Sequence, residues 1–312
     1  MTRFALCAIG PVFGMLVATG AHAAVILGTP QPLFTGIDLR TVQVDASQGV
    51  VARVDLSAPG IGVTGSAPAP QGVTIPGTKP PAQAETVAQT TSQFLLGTGT
   101  QYAINAGFFA PCCTAANEGK DISGLTVSNG VVVSPLDPTR PASLVISADN
   151  HAAVGLVTSL PANVADAVTG SDILVRGGQN VAPTASTDFN NANPRTAAGV
   201  SQDGRTLYLL TIDGRQPGYS PGASLVETAS VFLALGADAA VNLDGGGSTV
   251  AVAANGAGGA TVLNRPSGGT ERFDAASLGI FALPLPVAVP EPASFLLLMV
   301  ALAGLWATRR IA

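Results

Sequence analysis

The segment over residues 195–248 constrains the fold of this chain most. Residues 195–201 and 206–212 form two predicted strands around an Asp-Gly turn, which is a strong hairpin signal. A helix is predicted over Leu225–Leu235, because its apolar residues recur at helical spacing and a glycine follows. Another predicted strand, 239–243, comes next. This β-β-loop-α-β order predicts an α+β domain with a mixed, largely β-sheet core and a few packed helices.

The rest of the central chain predicts a single catalytic-type domain over residues 24–288, whose part before about residue 100 is less well defined. Residues 57–81 are rich in Gly, Pro and Ala and are interpreted as a loop insertion. A second helix is expected over 82–96, with a loop over 110–121. Further strands are predicted over 37–44, 50–56, 102–108, 125–133, 143–147, 154–158 and 172–175, with a surface loop over 180–194.

Both ends of the chain are typical of export signals. Residues 1–23 combine Arg3, an apolar run and a small-x-small site, as a secretory signal peptide does. At the other end, residues 289–312 place Val-Pro-Glu-Pro before about 16 apolar residues and two arginines, which is marginal for a membrane span. This order resembles the PEP-CTERM sorting signal. The resemblance implies an exosortase-type processing partner and export to the cell surface, outer envelope or matrix of a Gram-negative bacterium; a plain membrane anchor is the alternative.

Charge and cysteine content exclude some classes of function. The net charge is −5 and charged residues make up 11% of the chain, without a basic run, so no nucleic-acid partner is expected. Cysteine and histidine residues do not follow zinc-site spacing. The adjacent Cys112 and Cys113 could form a strained vicinal disulfide or bond to a second chain.

A glycine-rich turn after the strand 239–243 is the main candidate for chemistry. Asn242 and Asp244 alternate with apolar residues, and three glycines and Ser248 follow. Glycine allows a ligand to approach the backbone closely, and consecutive amides can form an anion-binding nest. The alternative is a tight hairpin turn that Asp244 caps.

Several segments together resemble the phosphodiester glycosidase family. The similar stretches are 104–109, 195–199, 209–215, 224–249, 264–267 and 271–272. The resemblance implies cleavage of the bond between an anomeric carbon and a phosphate. It also implies a catalytic carboxylate, for which Asp244 is the first choice, Asp213 the second and Glu227 a third position. Asp213 could instead belong to a turn, and Glu227 could complete the capping box of a helix.

The same resemblance suggests a set of substrate-binding residues. Guanidinium groups match phosphate oxygens, backbone amides of the glycine-rich turn can add to an anion site, and asparagines can hold sugar hydroxyls. The predicted set is Arg195, Arg215, Asn105, Asn242, Gly245, Gly246, Ser248 and Thr196. Arg195 could instead pair with a surface carboxylate, Asn105 could be structural, and Glu271 with Arg272 could form a surface ion pair.

A calcium ion is a candidate cofactor, because Asp213, Asn242 and Asp244 offer oxygen ligands, although their spacing matches no EF-hand. Two hypotheses of function follow. The first is an exported glycosidase that hydrolyses a sugar–phosphodiester linkage in a surface or matrix glycan. The second is a non-catalytic carbohydrate-binding or matrix protein of the bacterial surface, which would use the same pocket without cleavage.

Overall fold

The computed structural model describes residues 23–112, 115–185 and 191–286. Within them lie 22 β-strands, two α-helices and one short 3-10 helix. The elements are β1 (Val25–Leu27), β2 (Gln31–Phe34), β3 (Ile37–Val44), β4 (Ser47–Asp55), β5 (Gly62–Gly65), β6 (Thr86–Val87), α1 (Thr91–Thr98), β7 (Tyr102–Asn105), β8 (Phe109–Ala110), β9 (Gly119–Ile122), β10 (Thr126–Ser128), β11 (Val131–Ser134), β12 (Ala142–Ser147), β13 (Ala152–Leu156), β14 (Val164–Thr169), β15 (Ile173–Arg176), β16 (Gln179–Asn180), β17 (Arg195–Val200), β18 (Thr206–Ile212), α2 (Leu225–Leu235), β19 (Ala239–Asn242), the 3-10 helix (Gly246–Ser248), β20 (Ala251–Ala254), β21 (Ala260–Val262) and β22 (Ser277–Phe281).

The strands form four antiparallel sheets in the described part of the chain. The largest has the order β1-β3-β4-β18-β17-β19-β15-β16, and β2 also pairs with β3. Two five-stranded sheets have the orders β21-β20-β7-β22-β5 and β11-β10-β14-β12-β13, and β6-β9-β8 form a small fourth sheet. The main core draws buried residues from the three larger sheets, including Tyr102, Leu144, Leu209, Val241 and Leu278. The core therefore joins elements that are far apart in sequence.

Helix α2 and the β17–β18 hairpin confirm the local predictions. Ser224 caps the helix in a capping box, and Gly236 ends it in a left-handed conformation with φ of 79°. Phe232 on the buried face reaches the large sheet at Gly199, where a Cβ would lie 2.5 Å from its ring. The register places Arg195 opposite Ile212. The largely β-sheet α+β prediction is confirmed by these sheets and two helices.

Three local predictions were wrong. The helix expected over 82–96 is extended at its start, because β6 pairs with β9, and α1 begins only after Thr90, which caps it together with Gln93. The insertion 57–81 contains β5, which pairs with β22 in the core. The strand expected over 125–133 is the hairpin β10–β11, since Asn129 and Gly130 both have positive φ and form its turn.

The terminal predictions lie largely outside the described residues, which exclude 1–22 and 287–312. Among the described residues, none of the helices is both long and apolar enough to cross a membrane. Cys112 is disulfide-bonded, and Cys113 lies outside the described part.

Candidate functional site

The glycine-rich turn lies where the large sheet meets the sheet that contains β7. Strand β19 pairs with β17 so that Ala197 lies opposite Asn242. Immediately after β19, the backbone N–H of Asp244 donates to the carbonyl of Ala106 at 2.8 Å. The Asn105 side-chain amide donates to the Asp244 carbonyl at 2.6 Å. These two bonds hold Asp244 at the junction of the two sheets.

A cavity of about 470 Å³ opens beside this junction. Its size is within the usual range of small-molecule sites. It is lined by Phe108, Asn193, Arg195, Arg215, Asn242, Asp244, Gly245, Gly246, Gly247 and Arg272. Six of the eleven predicted site residues therefore line one cavity, and Asn193 and Arg272 join them.

Asp244 is half-buried, and its carboxyl group has a perturbed acidity. Burial raises the pKa of Asp244 to about 6, although the Ser248 hydroxyl and the charge of Arg272 both oppose that rise. The carboxylate form therefore prevails at neutral pH, and the group takes up a proton just below it. Such a carboxyl group can act as nucleophile or base at pH 7.

Asp274, which was missed by the sequence analysis, lies behind Asp244. It is 1% exposed, and its two carboxyl oxygens make no hydrogen bond of good geometry. Burial, and next the charge of Asp244, hold the pKa of Asp274 well above its usual value. Both influences favour the protonated form of Asp274. The signal in the sequence was a carboxylate directly before the apolar Ala275 and Ala276 that lead into β22.

Arg195 begins β17 and is 3% exposed. Its Nε donates to the carbonyl of Ala223 at 2.7 Å and one terminal nitrogen donates to Asn191 at 2.7 Å. Burial and the nearby charge of Arg215 lower the pKa of Arg195 to about 10, so it remains a cation at neutral pH. Two backbone carbonyls therefore hold the guanidinium group in place.

Arg215 and Arg272 bring two more cations to the cavity. Nε and a terminal nitrogen of Arg215 both donate to Oδ1 of Asn193, at 3.2 and 3.0 Å. The guanidinium of Arg272 lies against Gly247, where a Cβ would clash with it, and donates to the Ser248 hydroxyl at 3.3 Å. The suggested Glu271–Arg272 surface pair was wrong, since Arg272 faces the cavity and Glu271 accepts the backbone N–H of Ser92 at 2.9 Å.

Asp213 is not one of the residues that line the cavity. It is 2% exposed, and it accepts hydrogen bonds from the Asn264 side chain at 2.9 Å, the Arg265 backbone at 2.9 Å and the Tyr219 hydroxyl at 3.0 Å. Burial raises the pKa of Asp213, and these bonds oppose the rise. Its oxygens tie two loops together, as the alternative of a turn residue expects, and its catalytic role stays a prediction.

Glu227 forms the capping box that was the alternative to its catalytic role. Its carboxylate accepts the backbone N–H of Ser224 at 2.6 Å, and the Ser224 hydroxyl accepts the backbone N–H of Glu227 at 3.2 Å. This reciprocal pair is the capping box of α2, and Glu227 does not line the cavity. Of the three predicted catalytic carboxyl groups, the structure brings only Asp244 to the cavity.

Two of the polar residues predicted to bind substrate, Asn105 and Thr196, contact each other between the sheets. Asn105 is fully buried, and its Oδ1 accepts from the Thr196 hydroxyl at 2.7 Å and from the Val250 backbone at 3.1 Å. The side chains of Asn105 and Thr196 are thus hydrogen-bonded to each other between the sheets. Asn242 does line the cavity; its amide nitrogen donates to the Ser171 hydroxyl at 3.0 Å, and its Oδ1 accepts no hydrogen bond.

Two backbone N–H groups of the glycine-rich turn are already hydrogen-bonded within the protein. The N–H of Gly246 donates to the Pro194 carbonyl at 2.9 Å, and that of Ser248 donates to the Gly245 carbonyl at 3.2 Å. These two N–H groups of the predicted anion-binding nest therefore already have protein partners. Gly246 has φ of 63° and its Cβ position lies 3.3 Å from Arg215, so a side chain there would press against the guanidinium group.

Of the predicted calcium ligands, Asn242 and Asp244 line the cavity and Asp213 does not. Across residues 23–112, 115–185 and 191–286, no group of three or more His, Cys, Asp or Glu side chains could hold a metal ion.

The fold and the cavity define a β-rich domain in which a carboxyl group and three guanidinium groups face one pocket. A family model described as phosphodiester glycosidase matches residues 98–281, which is more than half of the chain. The chain belongs to the phosphodiester glycosidase family. The PEP-CTERM protein-sorting motif matches residues 288–311 and indicates an exported protein of Gram-negative bacteria.

Solved structures share this fold. The catalytic domain of zebrafish N-acetylglucosamine-1-phosphodiester alpha-N-acetylglucosaminidase, auto-inhibited by its pro-peptide, has a TM-score of 0.57 and 18% identity, over 83% of this chain and 88% of that one. A hypothetical protein from Synechocystis has a TM-score of 0.54 and 16% identity, over 79% of this chain and 62% of that one. The comparison with curated proteins found no match. At these identities the likeness shows the fold alone.

Proposed function

We propose that this protein is an exported glycosidase that hydrolyses the bond between a sugar's anomeric carbon and a phosphodiester in a surface or matrix glycan. The proposal rests on the set of charged side chains that line one cavity. The Asp244 carboxyl group shares it with the guanidinium groups of Arg195, Arg215 and Arg272. A sugar phosphodiester needs both a carboxylate at its anomeric carbon and cations at its phosphate.

The chemistry is a hydrolysis in which the oxygen of water forms the new bond to C1. The C1–O bond to phosphorus breaks, its electron pair leaves with the phosphate monoester, and the water oxygen becomes the C1 hydroxyl. The second proton of the water goes to the base and then to solvent. Asp244 is ionised above pH 6 and can stabilise the oxocarbenium-like state, attack it, or accept the proton of water.

The phosphate leaving group is already a stable anion and needs charge compensation more than protonation. Arg215 and Arg272 flank the glycine-rich turn on its cavity side, and Arg195 lies behind them on β17. Planar guanidinium groups bind phosphate oxygens in pairs, which fixes the direction in which the leaving group departs.

Asp274 acts through Asp244 as a positioning residue. Its burial and the charge of Asp244 favour its neutral form, which reduces the repulsion between the two carboxyl groups. A single charge that faces the cavity suits an oxocarbenium-like state better than two charges that repel each other.

The sorting motif supports a substrate outside the cytoplasm. The domain boundaries, with a signal over 1–23, the glycosidase domain over 24–288 and a sorting segment over 289–312, belong to this proposal, as does processing of the tail by an exosortase-type enzyme at the membrane. The related zebrafish enzyme is named for an N-acetylglucosamine-1-phosphodiester, which makes that class the first substrate to test.

The test measures the release of N-acetylglucosamine from an N-acetylglucosamine-1-phosphodiester by the purified protein. Asp244→Asn removes the charge while it keeps the shape, and Asp38→Asn changes a partly exposed carboxylate on β3, which pairs with Arg53 away from the cavity, as a matched control. We expect release by the parent and the control, and a loss of about a hundredfold or more with Asp244→Asn.

Two results would contradict the proposal. Equal release by the Asp244→Asn variant and the parent would show that Asp244 is not the catalytic carboxylate. Saturable binding of the diester without any release would favour the alternative, a carbohydrate-binding protein of the bacterial surface.

A further inference from the structure

A small cavity on the large sheet lies apart from the cavity of Asp244. It measures about 160 Å³, and the two cavities share none of their lining residues. Its lining consists of Arg40, Val51, Arg53, Tyr208, Ala234 and Leu235. Pockets for small molecules usually measure about 300 to 1,000 Å³. This smaller cavity therefore suits a single polar group and not a sugar ring.

The small cavity lies on the face of the large sheet that α2 covers, at the point where the helix ends. Arg40 on β3 pairs with Val51 on β4, and Arg53 on β4 pairs with Tyr208 on β18. Because Val51 and Arg53 are two positions apart, all four side chains are on the same face. The rest of this face packs against α2 through buried apolar residues. Since α2 ends at Leu235, this end of the face presents two arginines beside an open cavity.

The donor groups of the small cavity have few partners in the described part of the chain. Nε of Arg40 is buried without a hydrogen bond, and no described residue bonds the hydroxyl of Tyr208, which is 8% exposed. Arg53 makes only long contacts, at 3.5 Å to the Thr206 hydroxyl and 3.9 Å to the Asp38 carboxylate. Good N–H donors lie at about 2.7 to 3.2 Å from their acceptors. A buried donor without an acceptor is costly, so these groups fit a ligand that supplies acceptor atoms.

The end of α2 brings carbonyl groups to the wall of the same cavity. The last carbonyls of a helix have no partner within the helix. Gly236 and Ala237 donate to two of them, but no described residue donates to the carbonyls of Ala234 and Leu235. A ligand that has only acceptor atoms would be repelled by these carbonyls. The wall therefore suits an anion that also carries a hydroxyl group.

We propose that the small cavity binds a phosphate group that keeps at least one hydroxyl. Its oxygens accept from Arg40, Arg53 and Tyr208, since guanidinium groups match phosphate oxygens, and its hydroxyl donates to a carbonyl at the end of α2. The group can belong to free phosphate or to a phosphate monoester. The site goes beyond the proposed function and does not depend on it, because it shares no residue with the cavity of Asp244.

Binding is measured by calorimetry on purified protein that carries Arg215→Ala and Arg272→Ala, so that the cavity of Asp244 loses two of its cations. The ligands are inorganic phosphate, methyl phosphate and sulfate at about pH 6, where the second pKa of a phosphate monoester lies. We expect one equivalent of phosphate to bind, and sulfate, which has no hydroxyl at this pH, to bind at least about tenfold more weakly. Methyl phosphate that binds as tightly as inorganic phosphate identifies a monoester as the ligand. Methyl phosphate that binds at least about tenfold more weakly identifies the free ion.

Two variants locate the binding in the small cavity. Arg40→Met keeps the apolar stem of the side chain and removes the guanidinium group, whereas Tyr208→Phe removes only a hydroxyl. We expect the phosphate affinity to fall at least about tenfold with the first and about threefold with the second. Arg176→Met is the matched control, because Arg176 is an exposed arginine on β15 that lines neither cavity. Phosphate should also raise the melting temperature of the parent and of Arg176→Met, but not of Arg40→Met.

The outcomes that contradict the site are specific. Absence of saturable phosphate binding, binding that is unchanged by both Arg40→Met and Tyr208→Phe, or an equal loss of affinity with Arg176→Met would each overturn it. Sulfate that binds as tightly as phosphate would overturn the assignment of the ligand as a group that keeps a hydroxyl.

Discussion

At the residue scale, Asp244 and Asp274 are two carboxyl groups that burial affects differently. Asp244 keeps access to the cavity and the help of Arg272 and Ser248, so its pKa rises only to about 6. Asp274 has neither cavity access nor a hydrogen bond of good geometry, and the charge of Asp244 adds to its burial. Two neighbouring acids with separated pKa values are a common feature of hydrolytic sites.

The pH dependence of activity should report Asp244. Because its carboxylate form is the active one, kcat/KM should fall about tenfold per pH unit as the pH decreases below about 6. The measurement is a pH–rate profile on the sugar phosphodiester from pH 4 to 8. A flat acidic side down to pH 4 would show that a carboxyl group of ordinary pKa, or none, is the base.

Thermal stability gives an independent measure of the same group. A folded-state pKa above the unfolded value favours folding at low pH, and that benefit is lost as the pH rises from about 4 through 6. Asp244→Asn avoids this loss. The variant should therefore gain stability over the parent as the pH rises from 4 to 7, by roughly 1 to 3 kcal/mol at most. A difference that is constant with pH would contradict the shifted pKa.

At the element scale, α2 shows how one side chain can match a family position and still have a local role. Ser224 and Glu227 satisfy backbone N–H groups that the first turn of a helix leaves without partners. The arrangement needs only residues three positions apart, so it could be predicted from the sequence as the alternative to catalysis. The buried face of α2 then depends on the large sheet, where Gly199 accommodates Phe232.

Glu227→Gln separates these roles. Glutamine can complete a capping box, so we expect activity within about twofold of the parent and a stability loss below about 0.5 kcal/mol. Glu227→Ala should cost about 1 kcal/mol because the Ser224 N–H loses its partner. The measurements are kcat/KM and denaturant unfolding. A hundredfold loss of kcat with Glu227→Gln and unchanged stability would restore Glu227 as a catalytic group.

At the scale of the whole molecule, the site depends on the contact between two sheets. Asn105 ends β7 and reaches Thr196 on β17, the backbone of Val250, and the carbonyl of Asp244. These partners come from segments that are 91, 145 and 139 residues away. The buried Asn105 side chain therefore fixes the position of Asp244 relative to both sheets.

Asn105→Ala should destabilise the whole domain and not only the site. The Val250 N–H and the Thr196 hydroxyl would remain buried without a partner, at a cost of roughly 2 to 4 kcal/mol. Denaturant unfolding measures the loss, and Asn180→Ala on the exposed strand β16 is the control, with less than about 1 kcal/mol expected. Similar losses for both variants would show that Asn105 does not join the sheets.

Secondary structure could be predicted where the signals were local. The hairpin β17–β18 and helix α2 carry their turn, cap and stop residues within a few positions of one another. The prediction of a helix over 82–96 was wrong because the first half of that segment forms β6, which pairs with the distant strand β9. Its apolar spacing did not indicate that pairing. Pairing between strands is a long-range effect that periodicity does not report.

The sequence by itself determined the family, the PEP-CTERM sorting motif, the largely β-sheet class and the position of the glycine-rich turn with Asp244, because each depends on residues that are close together in the chain. Only the tertiary structure decided which charged residues share the cavity. Asp213 and Glu227 turned out to serve backbone groups, whereas Arg272 and Asp274 reach the site from the segment before β22. The physical reason is that burial, like charges and hydrogen-bond partners act through space, and these sheets bring together residues more than 100 positions apart.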